Sequence, residues 1–157
     1  MTKLISSAIV AATILLAAAP DPVAWKLQAE ANAPIKAGGK FRVKLLAKVQ
    51  DGWHLYSLKP MTEGPIATRI WLADGQPFAL AGSVQAPDPQ VQQDPALGME
   101  VELYEGETVF TLPVKLAPGT APGLHTLTVS TAYQSCNDKL CLPPKTVRVE
   151  LALTVAK

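Results

Sequence analysis

The sequence predicts an all-β chain folded as a two-sheet sandwich behind an N-terminal export signal. Three observations carry this prediction. Apolar and polar residues alternate with a period of two in several separate runs, the pattern of strands with one face on a core and the other in water. Turn signals such as Asp51-Gly52, Asp74-Gly75 and Pro122-Gly123 separate the runs. No segment shows a sustained helical period with caps.

Residues 1–19 have the anatomy of a signal peptide. Lys3 supplies the positive start, Leu4 to Leu16 is mostly apolar, and Ala17-Ala18-Ala19 supplies small residues for cleavage. The alternative is an uncleaved anchor, but an apolar run of about 16 residues falls short of the roughly 20 a spanning helix needs. Residues 20–157 form one domain, long enough for a core without disulfide support. No second apolar run of spanning length follows, so no stable membrane insertion is expected. The chain carries 14 basic and 13 acidic residues, and loss of Lys3 balances them. That composition offers no basic nucleic-acid footprint and no polybasic membrane patch.

Strands are expected at residues 25–31, 41–49, 53–58, 68–72, 78–84, 110–116, 125–133 and 147–155. Phe41, Val43, Leu45, Ala47 and Val49 alternate with Arg42, Lys44, Leu46 and Lys48, with Leu46 the one exception. Val147, Val149, Leu151, Leu153 and Val155 alternate with Arg148, Glu150, Ala152 and Thr154. Short strands of this number, with turns between them, predict a sandwich that is immunoglobulin-like in broad class. Trp25, Trp53 and Trp71 are expected as core or sheet-surface aromatics. Residues 85–99, QAPDPQVQQDPALGM, break the pattern with three prolines. They read either as a long functional loop or as an irregular edge strand interrupted by proline.

The chemistry concentrates in Cys136-Asn137-Asp138-Lys139-Leu140-Cys141, which holds the chain's two cysteines. The flanking strands place this dithiol on the tip of a hairpin. An exported chain meets an oxidising compartment, where two cysteines usually pair. Closing so short a loop contributes about 2 kcal/mol, against about 4 for a bond spanning most of a domain. An accessible bond is also open to in-line attack by a partner thiolate. Lys139 and Lys145 would favour a thiolate and Asp138 would oppose it. A structural disulfide, a redox pair and a metal site all remain open on these grounds. For the last, His54, Met61, Met99 and the cysteines are a soft donor set for Cu(I), although no close ligand spacing supports it and methionines more often pack. Hydrolase and nucleotide-dependent signatures are absent from the sequence.

The tract Tyr133-Gln134-Ser135-Cys136, continued by Cys141-Leu142-Pro143-Pro144-Lys145-Thr146, resembles the N-terminal periplasmic domain of the thiol–disulfide interchange protein DsbD. There, a Tyr-Gln-x-Cys and a Cys-x-Pro-Pro segment frame the active dithiol. Asp51-Gly52-Trp53-His54-Leu55-Tyr56 and Tyr104-Glu105-Gly106, leading into Thr111-Leu112-Pro113-Val114, look similar as well. The resemblance implies an immunoglobulin-like fold and a dithiol shielded by a movable cap. By position, Cys141 looks like the sulfur that forms mixed disulfides and Cys136 like the one that resolves them. Asp94 and Leu97 would belong to the cap, with Leu97 standing where the family presents an aromatic residue. Tyr56 would line the site.

The function implied is a periplasmic thiol–disulfide interchange module, a reductase-type relay whose sulfur pair replaces any cofactor or metal. Its partners would be thioredoxin-fold redox proteins and a membrane electron conduit supplied by another chain. A non-catalytic binding domain with a structural hairpin disulfide is the alternative. His54 stands where the family has tyrosine. It is expected as a solvent-facing strand residue, or, if near the thiols, as a proton-handling imidazole. His125 is expected to lie far from the sulfurs, with no role.

Overall fold

The computed structural model describes residues 21–30 and 33–157, so the segment read as a signal peptide lies outside the described residues. Among the described residues eleven strands follow one another, all in antiparallel ladders. They are β1 (Val23–Ala29), β2 (Lys40–Val49), β3 (His54–Tyr56), β4 (Arg69–Leu72), β5 (Phe78–Leu80) and β6 (Gln90–Asp94). Then come β7 (Met99–Tyr104), β8 (Glu107–Leu116), β9 (Gly123–Tyr133), β10 (Ser135–Cys136) and β11 (Lys145–Val155). No helix occurs among the described residues, and none is long and apolar enough to cross a membrane.

The strands build three sheets, ordered β1-β2-β8-β5, β11-β9-β4 and β10-β3-β7-β6. They form the expected immunoglobulin-like sandwich. Its main core takes alternate residues from the first two sheets, including Val43, Leu45, Phe110, Leu112, Leu127 and Val129, all fully buried. Leu55 of β3 and Tyr104 of β7 join this core from the third sheet. Their neighbours Tyr56 and Leu103, one residue along each strand, point to the opposite face, because side chains alternate across a strand. There they meet Val101 and Cys136 in a second, smaller cluster. The third sheet therefore buries apolar side chains on both faces, and the face turned from the main core carries Cys136.

All eight expected strands form, with their ends moved by a few residues. The proline-rich stretch 85–99 holds a short edge strand followed by a turn. After an isolated bridge from Gln85 to Thr111, β6 pairs with β7 from Gln90↔Leu103 to Asp94↔Met99. Its exposed side chains, Val91 among them, mark it as the edge strand of the sheet. The two prolines 87 and 89 fall before the ladder and Pro95 just after it, where no ladder hydrogen bond is lost.

The core sets the stability of this frame. Replacing fully buried Leu112 by alanine should cost about 2–5 kcal/mol in urea denaturation. Truncating Leu124, which is 77% exposed, should stay within about 0.5 kcal/mol.

Candidate functional site

Four strands bring the site together through register alone. Cys136 of β10 pairs with His54 of β3, Tyr56 pairs with Leu103 of β7, and Met99 of β7 pairs with Asp94 of β6. Opposed residues share a face, and so do residues two apart on one strand. His54, Tyr56, Asp94, Met99, Val101, Leu103 and Cys136 thus occupy one face of the third sheet.

The cysteines do not sit on the tip of the expected hairpin. β9 and β11 do pair, from Gly123↔Val155 to Tyr133↔Lys145. Between them the chain leaves this sheet and crosses to the third one, where β10 docks on β3. Residues 136–141 then form a tight loop closed by the disulfide, with Cα atoms 4.0 Å apart. Asn137 shapes the loop. Its N–H donates to the Leu140 carbonyl, and its Oδ1 accepts from the N–H groups of Lys139 and Leu140, a side chain mimicking a backbone turn. Leu142 N–H donates to the Ser135 carbonyl and closes the loop at its base.

This crossing makes the two sulfurs unequal. Cys136 is fully buried, whereas Cys141 is half-buried at the border of the small cluster. Met61 and Met99 pack against that cluster, so these methionines fill space as packing residues. Leu97 is 39% exposed and lies outside the cluster. Lys145 does not reach toward the sulfurs with its charge, because its Nζ pairs with Asp21 at 2.8 Å.

His54 is not solvent-facing. It is 4% exposed, sealed between β7 and β10 in a polar cluster centred on Asp94. The Asp94 carboxylate is itself buried. Its Oδ2 lies 2.5 Å from the Tyr56 hydroxyl and 3.1 Å from His54 Nε2. Its Oδ1 accepts from the backbone N–H groups of Ala96 and Leu97 at 2.8 and 3.2 Å. Gly98 N–H donates to the Asp94 carbonyl, and Gly98 takes φ 67°, the left-handed conformation glycine tolerates best. One side chain therefore both shapes the turn at residues 95–98 and ties it to β3.

The protonation states follow from this geometry. Burial alone would raise the Asp94 carboxyl, but the hydrogen bonds from Tyr56, from the backbone at Leu97 and Ala96, and from His54 hold it below the ordinary value. Asp94 is then an acceptor only, so His54 Nε2 must carry a proton. Burial, with the bond to Asp94 and its negative charge, pushes the Tyr56 phenol well above its usual range. Tyr56 keeps its single hydroxyl proton and turns its oxygen toward Cys141, 3.8 Å from Sγ. Among the described residues no group of three or more His, Cys, Asp or Glu forms a metal cluster.

The site thus joins a buried cysteine to a half-buried one beside an acid–phenol pair. The family described as "Thiol:disulfide interchange protein DsbD, N-terminal" matches residues 22–153. The chain belongs to this family. The matched residues include both members of the Cys136–Cys141 disulfide. Among solved structures it is similar to the N-terminal periplasmic domain of ScsB from Proteus mirabilis, with 17% identity and a TM-score of 0.55. That likeness, one of fold, covers 87% of this chain and 47% of the other, so the chain spans about half the length of ScsB's solved portion. The CssB subunit of enterotoxigenic Escherichia coli colonization factor CS6, complemented with a donor strand from CssA, is more distant. It shows 10% identity and a TM-score of 0.44 over 85% of this chain and 97% of that one. No curated protein sequence matches significantly.

The Asp94 cluster gives a pH-dependent stability with a definite sign. Because its folded pKa is depressed, its contribution is present above the unfolded carboxyl value of about 3.9 and is lost as pH falls through the lower folded value. Asp94→Ala, which strands the buried Tyr56 and His54 donors, should lose about 2 kcal/mol or more at pH 7 in urea denaturation. The gap from wild type should narrow steadily below about pH 4.

Proposed function

We propose that this domain relays electron pairs in the periplasm, from a thioredoxin-like donor to oxidised partner proteins, through Cys136 and Cys141. The observation that carries the reading is the inequality of the two sulfurs: Cys136 is sealed and Cys141 borders the surface. Exchange proceeds by in-line attack of a thiolate on a disulfide sulfur, so the half-buried sulfur is the one a partner can reach.

In the reduced domain, the Cys141 thiolate attacks one sulfur of a client disulfide. The client S–S bond breaks, a Cys141–client mixed disulfide forms, and the client's second sulfur leaves as a thiolate that takes up a proton. The Cys136 thiolate then attacks Cys141 Sγ. The intramolecular disulfide re-forms and the client leaves as a dithiol, having gained two electrons and two protons.

Recharging runs the same chemistry in reverse. A donor thiolate attacks Cys141 Sγ of the oxidised domain and Cys136 leaves. The donor's second thiolate then attacks the donor sulfur of the mixed disulfide, which releases Cys141 and oxidises the donor. The sulfur pair supplies all the redox chemistry in this scheme. The turn at residues 95–98, with Asp94 at its base and Leu97 on its exposed side, acts as the cap over Cys141. A membrane electron conduit would keep the donor reduced.

A trapping experiment tests the assignment of roles. Cys136→Ser, expressed in a Gram-negative periplasm, should accumulate reductant-sensitive adducts with thioredoxin-fold proteins through Cys141, and Cys141→Ser should not. If Cys136→Ser forms no adducts, and the wild-type disulfide resists a reduced thioredoxin-fold donor, the bond is structural and the relay reading fails.

A further inference from the structure

The polar cluster beside Cys141 presents a mismatch between donors and acceptors. The Tyr56 hydroxyl has one proton, which it donates to the Asp94 carboxylate at 2.5 Å, while the Cys141 sulfur lies 3.8 Å from the same oxygen. In the disulfide this causes no conflict, because a bonded sulfur needs no donor. On the relay reading given above, Cys141 becomes a thiolate when it attacks a client and again when a donor releases it. A half-buried thiolate without a hydrogen bond is costly. The nearest hydroxyl is already engaged.

His54 resolves this mismatch. Its ring N–H reaches the same Asp94 oxygen, Oδ2, at 3.1 Å, and lies 3.3 Å from the Tyr56 hydroxyl oxygen. Oδ1 is independently satisfied by the backbone of the cap turn. If Tyr56 rotates its O–H away, Asp94 still keeps three donors. Without His54, Oδ2 would be left bare in a buried site and would compete for the phenol proton.

We propose that His54 is a positioning residue for sulfur exchange: its ring N–H holds Asp94 Oδ2 so that the Tyr56 hydroxyl can turn to the Cys141 sulfur when that sulfur becomes a thiolate. Hydrogen bonds switch partners in this step, and the proton stays on Tyr56. Tyr56 touches the reacting atom, and His54 acts through it. The surroundings leave few rivals for this work. β7 presents Met99, Val101 and Leu103 to this face, while Glu100 and Glu102 alternate onto the other, where Glu102 is held by Ser57 and Lys59. β6 contributes Asp94, and β10 contributes Cys136.

The inference rests on the relay reading, and a titration of Cys141 separates the two. In a Cys136→Ser background, the pH dependence of iodoacetamide alkylation reports the Cys141 thiol pKa. His54→Phe, which removes the donor, should move the alkylation midpoint upward by about one unit, and His54→Gln, which restores an N–H of similar reach, should recover at least about half of that shift. In a Tyr56→Phe background, His54→Phe should shift the midpoint by less than about 0.3 units, since the hydroxyl through which it acts is gone. Far-UV circular dichroism checks that each variant folds, and His54→Ser replaces His54→Phe if the latter does not.

An unchanged midpoint in His54→Phe, or a shift that persists at full size without the Tyr56 hydroxyl, overturns the proposal. Partner trapping by Cys136→Ser would be unaffected by that outcome. Loss of trapping with the titration behaving as expected would instead fault the relay reading.

Discussion

A single buried carboxylate organises the sulfur site. Asp94 receives four donors, two from side chains on β3 and two from the backbone of the turn that follows it. Burying a charge is tolerable only when it is fully hydrogen-bonded, so each donor depends on the others being in place. The arrangement fixes the end of β6, the path of the turn at residues 95–98 and the rotamers of His54 and Tyr56 at once. Removing any member leaves a buried polar group unpaired, which is costlier than never having made the bond. Any movement of the turn at residues 95–98 is therefore coupled to the hydrogen bonding of Asp94, Tyr56 and His54.

The topology supplies the second constraint. Had the cysteines stayed in the β9–β11 hairpin, both sulfurs would have shared one exposed tip. The chain instead steps from one sheet to another at Gln134, and β10 buries Cys136 against β3. A different anchor stabilises the hairpin end that is left behind. Tyr133 donates to Asp21 at 2.5 Å, and Lys145 pairs with the same carboxylate. The sandwich core thus holds the scaffold without the disulfide, as the short loop-closure length implied.

Much of this was legible in the sequence, and the losses have physical causes. Strands with one wet face announce themselves by alternation, and β2, β8, β9 and β11 follow that rule closely. The edge strand offered as one reading of residues 85–99 forms as β6, whereas β7 was not expected, because it follows a tract of mostly exposed residues broken by prolines. The alternation Met99-Glu100-Val101-Glu102-Leu103 was nevertheless present as a signal. His54 looked like a surface residue because its strand neighbours gave no hint that β10 would cover it. That cover comes from a residue 82 positions later, through a crossing that local pattern does not encode. The charge of Lys145 could be seen, but its commitment to Asp21 could not, since the partner lies 124 residues away. Tyr56 and Asp94 were placed at the site by resemblance alone, and the register of four strands brings them together.

The most direct measurement is the identity of the sulfur that a donor attacks first. Oxidised wild-type domain would be mixed with a reduced thioredoxin-fold donor that lacks its second cysteine, and the mixed disulfide mapped by peptide mass spectrometry. The account predicts that the donor is joined to Cys141, with Cys136 released as a free thiol. Attachment to Cys136, or an even division between the two, would contradict it.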